Sequence, residues 1–330
     1  MADLFKRQAN LQQIGPHSYT TSHDADWTVG PTLHGGSVAA VIHLAATTHF
    51  ATTLKKYNQP DVLTLHIEFL RYCVPNDLEI TITDLKRGAV HCTIQLQLSQ
   101  EGQLKAIATA TSTNFNEPLG PTVTTDWILD PPPKPTPNFA KIKASEPDEN
   151  WIPGRIAGEV IPISRHMLVL SPRGGFPVAG MCEAWNGFTA EAMDATCVTL
   201  LCDMMPSMSD TLLRNGGMYD AHSKFATMEK WAEKNPGVVC EMTNSLAEAA
   251  DASLFENTLS MNIEFKKRIP EAGLQWAFTR ATTKKMDGGR MDLDITICDE
   301  QMELICNARQ VILVLDAKKR FRRAEGNSKM

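Results

Sequence analysis

No apolar run approaches the ~18 residues that mark a membrane-spanning helix. The polar opening Met-Ala-Asp-Leu-Phe-Lys-Arg lacks the apolar core of a signal peptide, so no membrane span is expected. Cysteines 73, 92, 182, 197, 202, 240, 298 and 306 form no Cys-x-x-Cys pair and no framework spacing. They read as buried reduced thiols in an intracellular protein. Cys202 stands beside Asp203, the opposite of the electropositive setting a thiolate nucleophile needs. Aromatic residues are few at 7%, no basic stripe interleaves with them, and the net charge is −6, so no nucleic acid is expected as a partner. No Gly-x-Ser-x-Gly elbow occurs, which argues against an α/β-hydrolase. The Gly-Gly pairs at 35, 174, 216 and 288 read as turns rather than a dinucleotide loop. No His, Cys or Asp group has metal-ligand spacing, so no metal or cofactor is expected.

What is present begins with residues 188–206. Thr189 is a candidate N-cap, Glu191 and Asp194 suit the positive end of a helix, Ala195–Met205 is apolar on nearly every face, and Pro206 stops the run. Such a helix must be wrapped by other structure. Asp203 near its end is costly as an ion unless paired, hydrogen-bonded or wet. A second buried helix opens at Gly35-Gly36, where close approach and free amides suit an oxyanion; a plain strand-to-helix turn is the competing reading. His34, His43, His49 and His66 read as core or surface histidines rather than catalytic ones.

A first strand is expected within 17–30. Strand character returns at Val62–Arg71, Leu78–Leu85, Val90–Leu98 and Leu104–Phe115, with turn residues between, as in an antiparallel meander. The second half repeats the plan: a strand over Gly158–Leu170, the 189–205 helix, then strands near Thr258–Lys267, Leu274–Thr283, Met291–Cys298 and Glu303–Leu315. Leu63-Thr-Leu-His-Ile-Glu-Phe-Leu-Arg71 answers Leu259-Ser-Met-Asn-Ile-Glu-Phe-Lys-Lys267 at an offset of 196, which signals a duplicated domain. The 330 residues therefore divide into an N-terminal domain at 1–116, a Pro-rich linker at 117–157, and a C-terminal domain at 158–316. An insertion over 207–256, with Tyr219–Trp231 helical, reads as a lid or specificity loop, or as decoration. Residues 317–330 form a basic, flexible tail.

Strand, buried helix and four strands, given twice, resemble the double-hotdog acyl-CoA thioesterases of the thioesterase II type within the thioesterase-like superfamily. The resemblance covers roughly 17–115 and 158–315 and rests on His34-Gly-Gly-Ser-Val-Ala, where the family has an aromatic-Gly-Gly-Gln-Val run, and on His66-Ile-Glu-Phe-Leu-Arg71. It also rests on Cys202-Asp203 in place of the family's Ser-Asp, Thr258 seven residues before Phe265, and Gln310 in Ala308-Arg-Gln310. It implies an α+β double hotdog that hydrolyses a fatty or related acyl-CoA to free acid and CoA. Asp203, Thr258 and Gln310 would activate water, and His34, Gly35 and Gly36 would bind substrate. Ser260 departs from the family's Asp-His. By the repeat, Thr258 answers Val62 and Gln310 answers Ser112, which leaves one working site.

The chemistry requires an activated water, a proton acceptor and donors for the developing oxyanion. Two rivals stay open: a hotdog dehydratase, lyase or cyclase acting on a specialised acyl or polyketide-like intermediate, and a non-catalytic acyl-binding protein. A homodimer is the expected assembly. Ser328-Lys329-Met330 is a variant of the Ser-Lys-Leu address, so an import receptor and the peroxisome are expected, with the cytoplasm otherwise.

Overall fold

The computed structural model describes residues 4–176, 178–204, 212–213 and 220–316. Among them, fifteen strands form one sheet, and the first and second halves each wrap a buried helix. In the first half the sheet order is Ser18–Ser22, Asp77–Lys86, Thr93–Gln100, Gln103–Thr113, Asp61–Phe69. In the second half it is Met181–Phe188, Ala277–Thr282, Arg290–Cys298, Leu304–Asp316, Leu254–Phe265. This is the tandem hotdog arrangement that the pattern implies.

Alternation drives it locally. In Asp77–Lys86, Leu78, Ile80 and Ile82 are buried while Glu79, Thr81 and Thr83 are exposed. A period of two puts one face on the helix and the other in water. The helix Gly35–Ala51 is buried at Val38–His43, Ala45, Ala46, His49 and Phe50, as expected for a helix enclosed by sheet.

The halves join where Asp61–Phe69 pairs antiparallel with Leu254–Phe265, in register Leu65↔Ile263, His66↔Asn262 and Ile67↔Met261. Since 262 − 66 = 196, the residues paired at the centre are those that the repeat makes equivalent. A pseudo-twofold axis therefore passes between His66 and Asn262, whose side chains meet with Nδ1 2.7 Å from Oδ1. Both strands carry a bulge at the equivalent place, between Val62 and Thr64 and between Thr258 and Ser260.

Several expectations are corrected. The four strands are not a simple meander, because Asp61–Phe69 lies beside Gln103–Thr113 rather than beside Asp77–Lys86. The link through Val74 crosses between them and is pinned by Gln100, which accepts from the Val74 amide and donates to its carbonyl. The first strand of the second half is Met181–Phe188, not Gly158–Leu170; Met167–Pro172 adds a further strand outside it. Trp151–Ile156, placed in the linker from its prolines, is a strand of the same sheet, so the irregular stretch ends near the Phe139–Lys143 helix. The insertion contributes an edge strand, Cys240–Met242, parallel to Trp151–Ile156, besides the helix Ala221–Lys234. Pro206 and the tail with Ser328, Lys329 and Met330 lie outside the described residues. All eight cysteines are buried and none is in a disulfide.

Candidate active site

The second central helix is shorter than its apolar letters suggest. It runs Ala195–Leu201, with Asp194 rather than Thr189 as N-cap, accepting from the Cys197 amide at 3.0 Å. Thr189 instead bonds back to the His166 carbonyl, and Met193 pairs with Leu274, so the chain before Asp194 is held extended. The helix then tightens. Asp203 N donates to Leu200 O and Met204 N to Leu201 O, both three residues back. That tight turn brings Asp203 to the start of the other helix.

There, His34 is the N-cap, and its Nδ1 accepts from the Gly36 amide at 3.1 Å. A neutral His34 then carries its proton on Nε2, which lies 3.6 Å from Asp203 Oδ2. The glycines are explained by crowding. A Cβ on Gly35 would sit 2.7 Å from Asp203 Oδ2, and one on Gly36 would sit 2.8 Å from Leu200 O and 2.9 Å from Asp203 Cβ. Neither glycine has positive φ, so close approach and not turn geometry requires them. The Gly35 amide, at the first helical position, has no intrahelical acceptor.

The strands supply the rest. Thr258 Oγ1 donates to Gln310 Oε1 at 3.2 Å, and Gln310 Nε2 donates to Cys202 O at 2.7 Å. The two bonds fix which end of the amide faces which partner. Thr258 sits at the bulge, opposite Ile312, while Gln310 sits opposite Met261. Gln310 is 1% exposed and the Asp203 side chain 15%. The hydrogen-bond chain Thr258–Gln310–Cys202 thus ends one residue from the carboxylate. All six residues singled out by sequence come to one place. The pairing of His34 with Asp203 was not legible there, because the residues are far apart in the chain. Hydrogen bonding to Cys306, then burial, pushes the Cys202 thiol well above its usual range, as expected for a structural cysteine.

One alignment is corrected. Leu65 faces Ala110 as Met261 faces Gln310, so the counterpart of Gln310 is Ala110, and Ser112 answers Ile312. The first half still lacks the amide. Ser112 instead donates to Gln59 Oε1 and accepts from the Cys92 amide.

Ligand types invisible by spacing also gather elsewhere: His17, His49 and Asp84 offer atoms within 4.8 Å of one another. His49 Nε2 lies 2.9 Å from Asp84 Oδ1 and its Nδ1 3.2 Å from Tyr19 Oη, while Arg87 grips Asp84 Oδ2 through Nε and Nη2. This is a polar network at the far end of the first helix, largely satisfied by its own members.

Comparison with known proteins follows the same division. Residues 23–114 match the acyl-CoA thioesterase N-terminal domain and residues 140–314 its C-terminal domain. The thioesterase-like protein TwmA of Talaromyces wortmannii is 22% identical over 346 residues, covering 99% of this chain and 96% of its own. A conserved protein of unknown function with the hot dog fold from Alicyclobacillus acidocaldarius matches with TM-score 0.67 at 16% identity, covering 96% of this chain and 99% of that one. Acyl-CoA thioesterase II TesB2 from Mycobacterium marinum matches with TM-score 0.60 at 16% identity, covering 95% and 97%. With both family domains present in tandem on a double hotdog, the chain belongs to the acyl-CoA thioesterase family.

Proposed function

We propose that the chain hydrolyses an acyl-CoA to the free acid and CoA at the junction of Asp203, Thr258, Gln310 and the Gly35-Gly36 helix start. The observation that carries this reading is the seating of Asp203 against Gly35 and Gly36 while Thr258 and Gln310 are tied to the carbonyl of Cys202. Thr258 spends its proton on Gln310, so its oxygen is left to accept from a water, and the second N–H of Gln310 can donate to one. Asp203 takes the proton of that water as it attacks the thioester carbon. The Gly35 amide, at the positive end of a helix, faces the developing oxyanion. Collapse of the tetrahedral intermediate expels the CoA thiolate, which takes up the proton held by Asp203. His34 Nε2 lies 3.6 Å from Asp203 Oδ2, beside the proposed base.

Purified protein is expected to release free thiol from a panel of acyl-CoAs, with Asp203→Ala lowering kcat about 10²–10⁴-fold. Unchanged turnover in that variant would remove Asp203 from the reaction. Product analysis tests the lyase or cyclase reading, which predicts an altered carbon skeleton without free CoA. Two companion proposals have their own tests. Residues 317–330 fused to a fluorescent protein are expected to direct it to peroxisomes through Ser328-Lys329-Met330, and diffuse fluorescence refutes that. Sedimentation is expected to give a homodimer, and a monomer at working concentration refutes it.

A further inference from the structure

The pseudo-twofold axis that relates the halves also produces an image of the active site. The two N-caps are His34 and Asp194, and 194 − 34 = 160. The same step carries Gly36 to Thr196 and His43 to Asp203 (203 − 43 = 160). The strands carry Thr258 to Val62 and Gln310 to Ala110. The image of Asp203, Gly36, Thr258 and Gln310 is therefore His43, Thr196, Val62 and Ala110. The equivalence holds at the level of contact. Asp203 lies against Gly36, and His43 Nδ1 lies 3.2 Å from Thr196 Oγ1.

The image site is not filled in. A cavity of about 280 Å³ lies there, at the small end of ligand pockets. His43, Leu44, Val62, Thr196 and Phe265 line it, with Thr47 and Phe115 beside them. Where the active site has a threonine hydroxyl, this wall has Val62, and Ala110 at the register position of Gln310 has no amide to offer, so the polar pair proposed to position a water is missing. One polar point stays inside, the His43–Thr196 pair. Burial pushes the His43 pKa down to about 4 against the pull of Asp194 and Asp61, so the ring is neutral and acts as a hydrogen-bonding group. Toward the mouth, Lys6 pairs with Asp194 at 2.5 Å and Arg268 grips Asp61 through two nitrogens. Lys267 pairs with Asp299 at 2.7 Å, so each of these cations is already compensated. The mouth does not call for a free anion, and the interior favours methylenes with one carbonyl.

We propose that this cavity is a second acyl-binding site, which holds a medium-length acyl chain with its carbonyl at the His43–Thr196 pair and does not hydrolyse it. The choice of an acyl ligand rests on the thioesterase reading of the active site, but the test separates the two. The same helices serve both places: Gly35-Gly36 and His43 lie on one, and Thr196 and Asp203 on or just after the other. Seven residues between Gly36 and His43 correspond to about 10 Å of helix, so the sites are mechanically adjacent.

The probes are the ketone analogue of octanoyl-CoA, in which a methylene separates sulfur from carbonyl, and octanoic acid. Calorimetry on the full chain is expected to give two analogue molecules per chain. Thr47→Trp, which plugs the cavity from a half-buried helix position, is expected to leave one and to keep turnover. Thr196→Val, which keeps volume and removes the hydroxyl, is expected to weaken the second event about tenfold, the loss of roughly one hydrogen bond. If the second event appears with octanoic acid alone and vanishes in Thr47→Trp, the site stands and its ligand is the reaction product. The absence of a second event with both probes, or a second event that Thr47→Trp leaves untouched, overturns the proposal. Asp203→Asn reports on the other reading: it is expected to lose turnover and keep the second event.

Discussion

Adding one methyl group at Gly35 or at Gly36 should have opposite consequences. At Gly35 the new Cβ meets only the end of the Asp203 side chain, with Oδ2 at 2.7 Å and Cγ at 3.7 Å. The carboxylate can swing away by rotation, at little cost to folding, and Ala is favoured over Gly in a helix by up to about 1 kcal/mol. The displaced group is the proposed base, however, and a shift of about 1 Å in a reacting group costs on the order of 10² in rate. At Gly36 the methyl meets Leu200 O at 2.8 Å, Asp203 Cβ at 2.9 Å and His34 Cε1 at 3.0 Å. Two of those atoms are fixed by the helix end, so the helices must separate. Overpacking of this kind costs about 1–3 kcal/mol. At roughly 2–4 °C per kcal/mol, the Gly36→Ala midpoint falls by several degrees. Thermal melting beside a thiol-release assay reads both quantities. Gly35→Ala is expected to melt like the parent and lose about 10²-fold in kcat, while Gly36→Ala melts lower. Wild-type kcat in Gly35→Ala would show that the carboxylate at this place does no chemistry. An unchanged midpoint in Gly36→Ala would show that the two helices do not meet as described.

Thr258→Val is expected to lower kcat with little change in KM, because the proposed role of the hydroxyl is to hold the water, and to lower the melting midpoint by leaving buried Gln310 Oε1 without its donor; an equal rise in KM would point to substrate binding instead. Glu183 and Arg280 form a buried ion pair, 2.7 Å apart and each about 5% exposed, and Arg280 Nη1 has no partner among the described residues. Glu183→Ala is expected to cost about 3–5 kcal/mol in urea unfolding, since it strands a buried cation; a loss below 1 kcal/mol would contradict that burial. Burial depresses the pKa of His23, like that of His43, to about 4, below the ordinary value of 6.5. The unfolded chain therefore binds more protons between those values, so this contribution should be level from about pH 6.5 to 8, below the range where unfolded thiols titrate, and fall as pH drops toward 4; equal stability at pH 5 and pH 7 would refute it. Residues 116–128 are exposed and carry no helix or strand, so a protease site placed there should be cut without loss of turnover, the halves staying together through their paired strands and packed helices. Separation of the halves on cutting would show that the seam does not hold them.

The features legible in the sequence were those written in local period or in repeated letters. The alternation of Leu78, Ile80 and Ile82 announced a strand, and the offset of 196 announced the duplication, whose two matching segments the structure pairs with His66 opposite Asn262. What stayed hidden depended on partners far along the chain. Ala195–Met205 looked like one long helix because its letters are apolar, yet the extended hold on Met193 and the tight turn at Asp203 are made by Leu274 and by backbone geometry. Trp151–Ile156 was masked by neighbouring prolines, and its strand state comes from pairing with Met167–Pro172. The letters of Ala110 and Ser112 could not say which faces Gln310's place, because the offset is 196 on one paired strand (261 − 65) and 200 on the other (310 − 110), and only the strand pairing counts the four extra residues between them.

The division of the site between halves has a physical cause. In an antiparallel pair of helices related by a twofold axis, the start of each lies beside a later turn of the other, so each junction draws its amides from one half and its facing side chain, Asp203 or His43, from the other. Duplication therefore yields two junctions, not two independent sites. The glycines at 35 and 36 are held by the bulk of Asp203 across the junction, and once His43 stood in the image of Asp203, Ala195 and Thr196 could carry side chains. Val62 and Ala110 stand where Thr258 and Gln310 form the proposed water-positioning pair, so the image junction lacks that hydroxyl and amide. The apolar replacements are what a junction released from catalysis, but still open as a cavity, is expected to acquire.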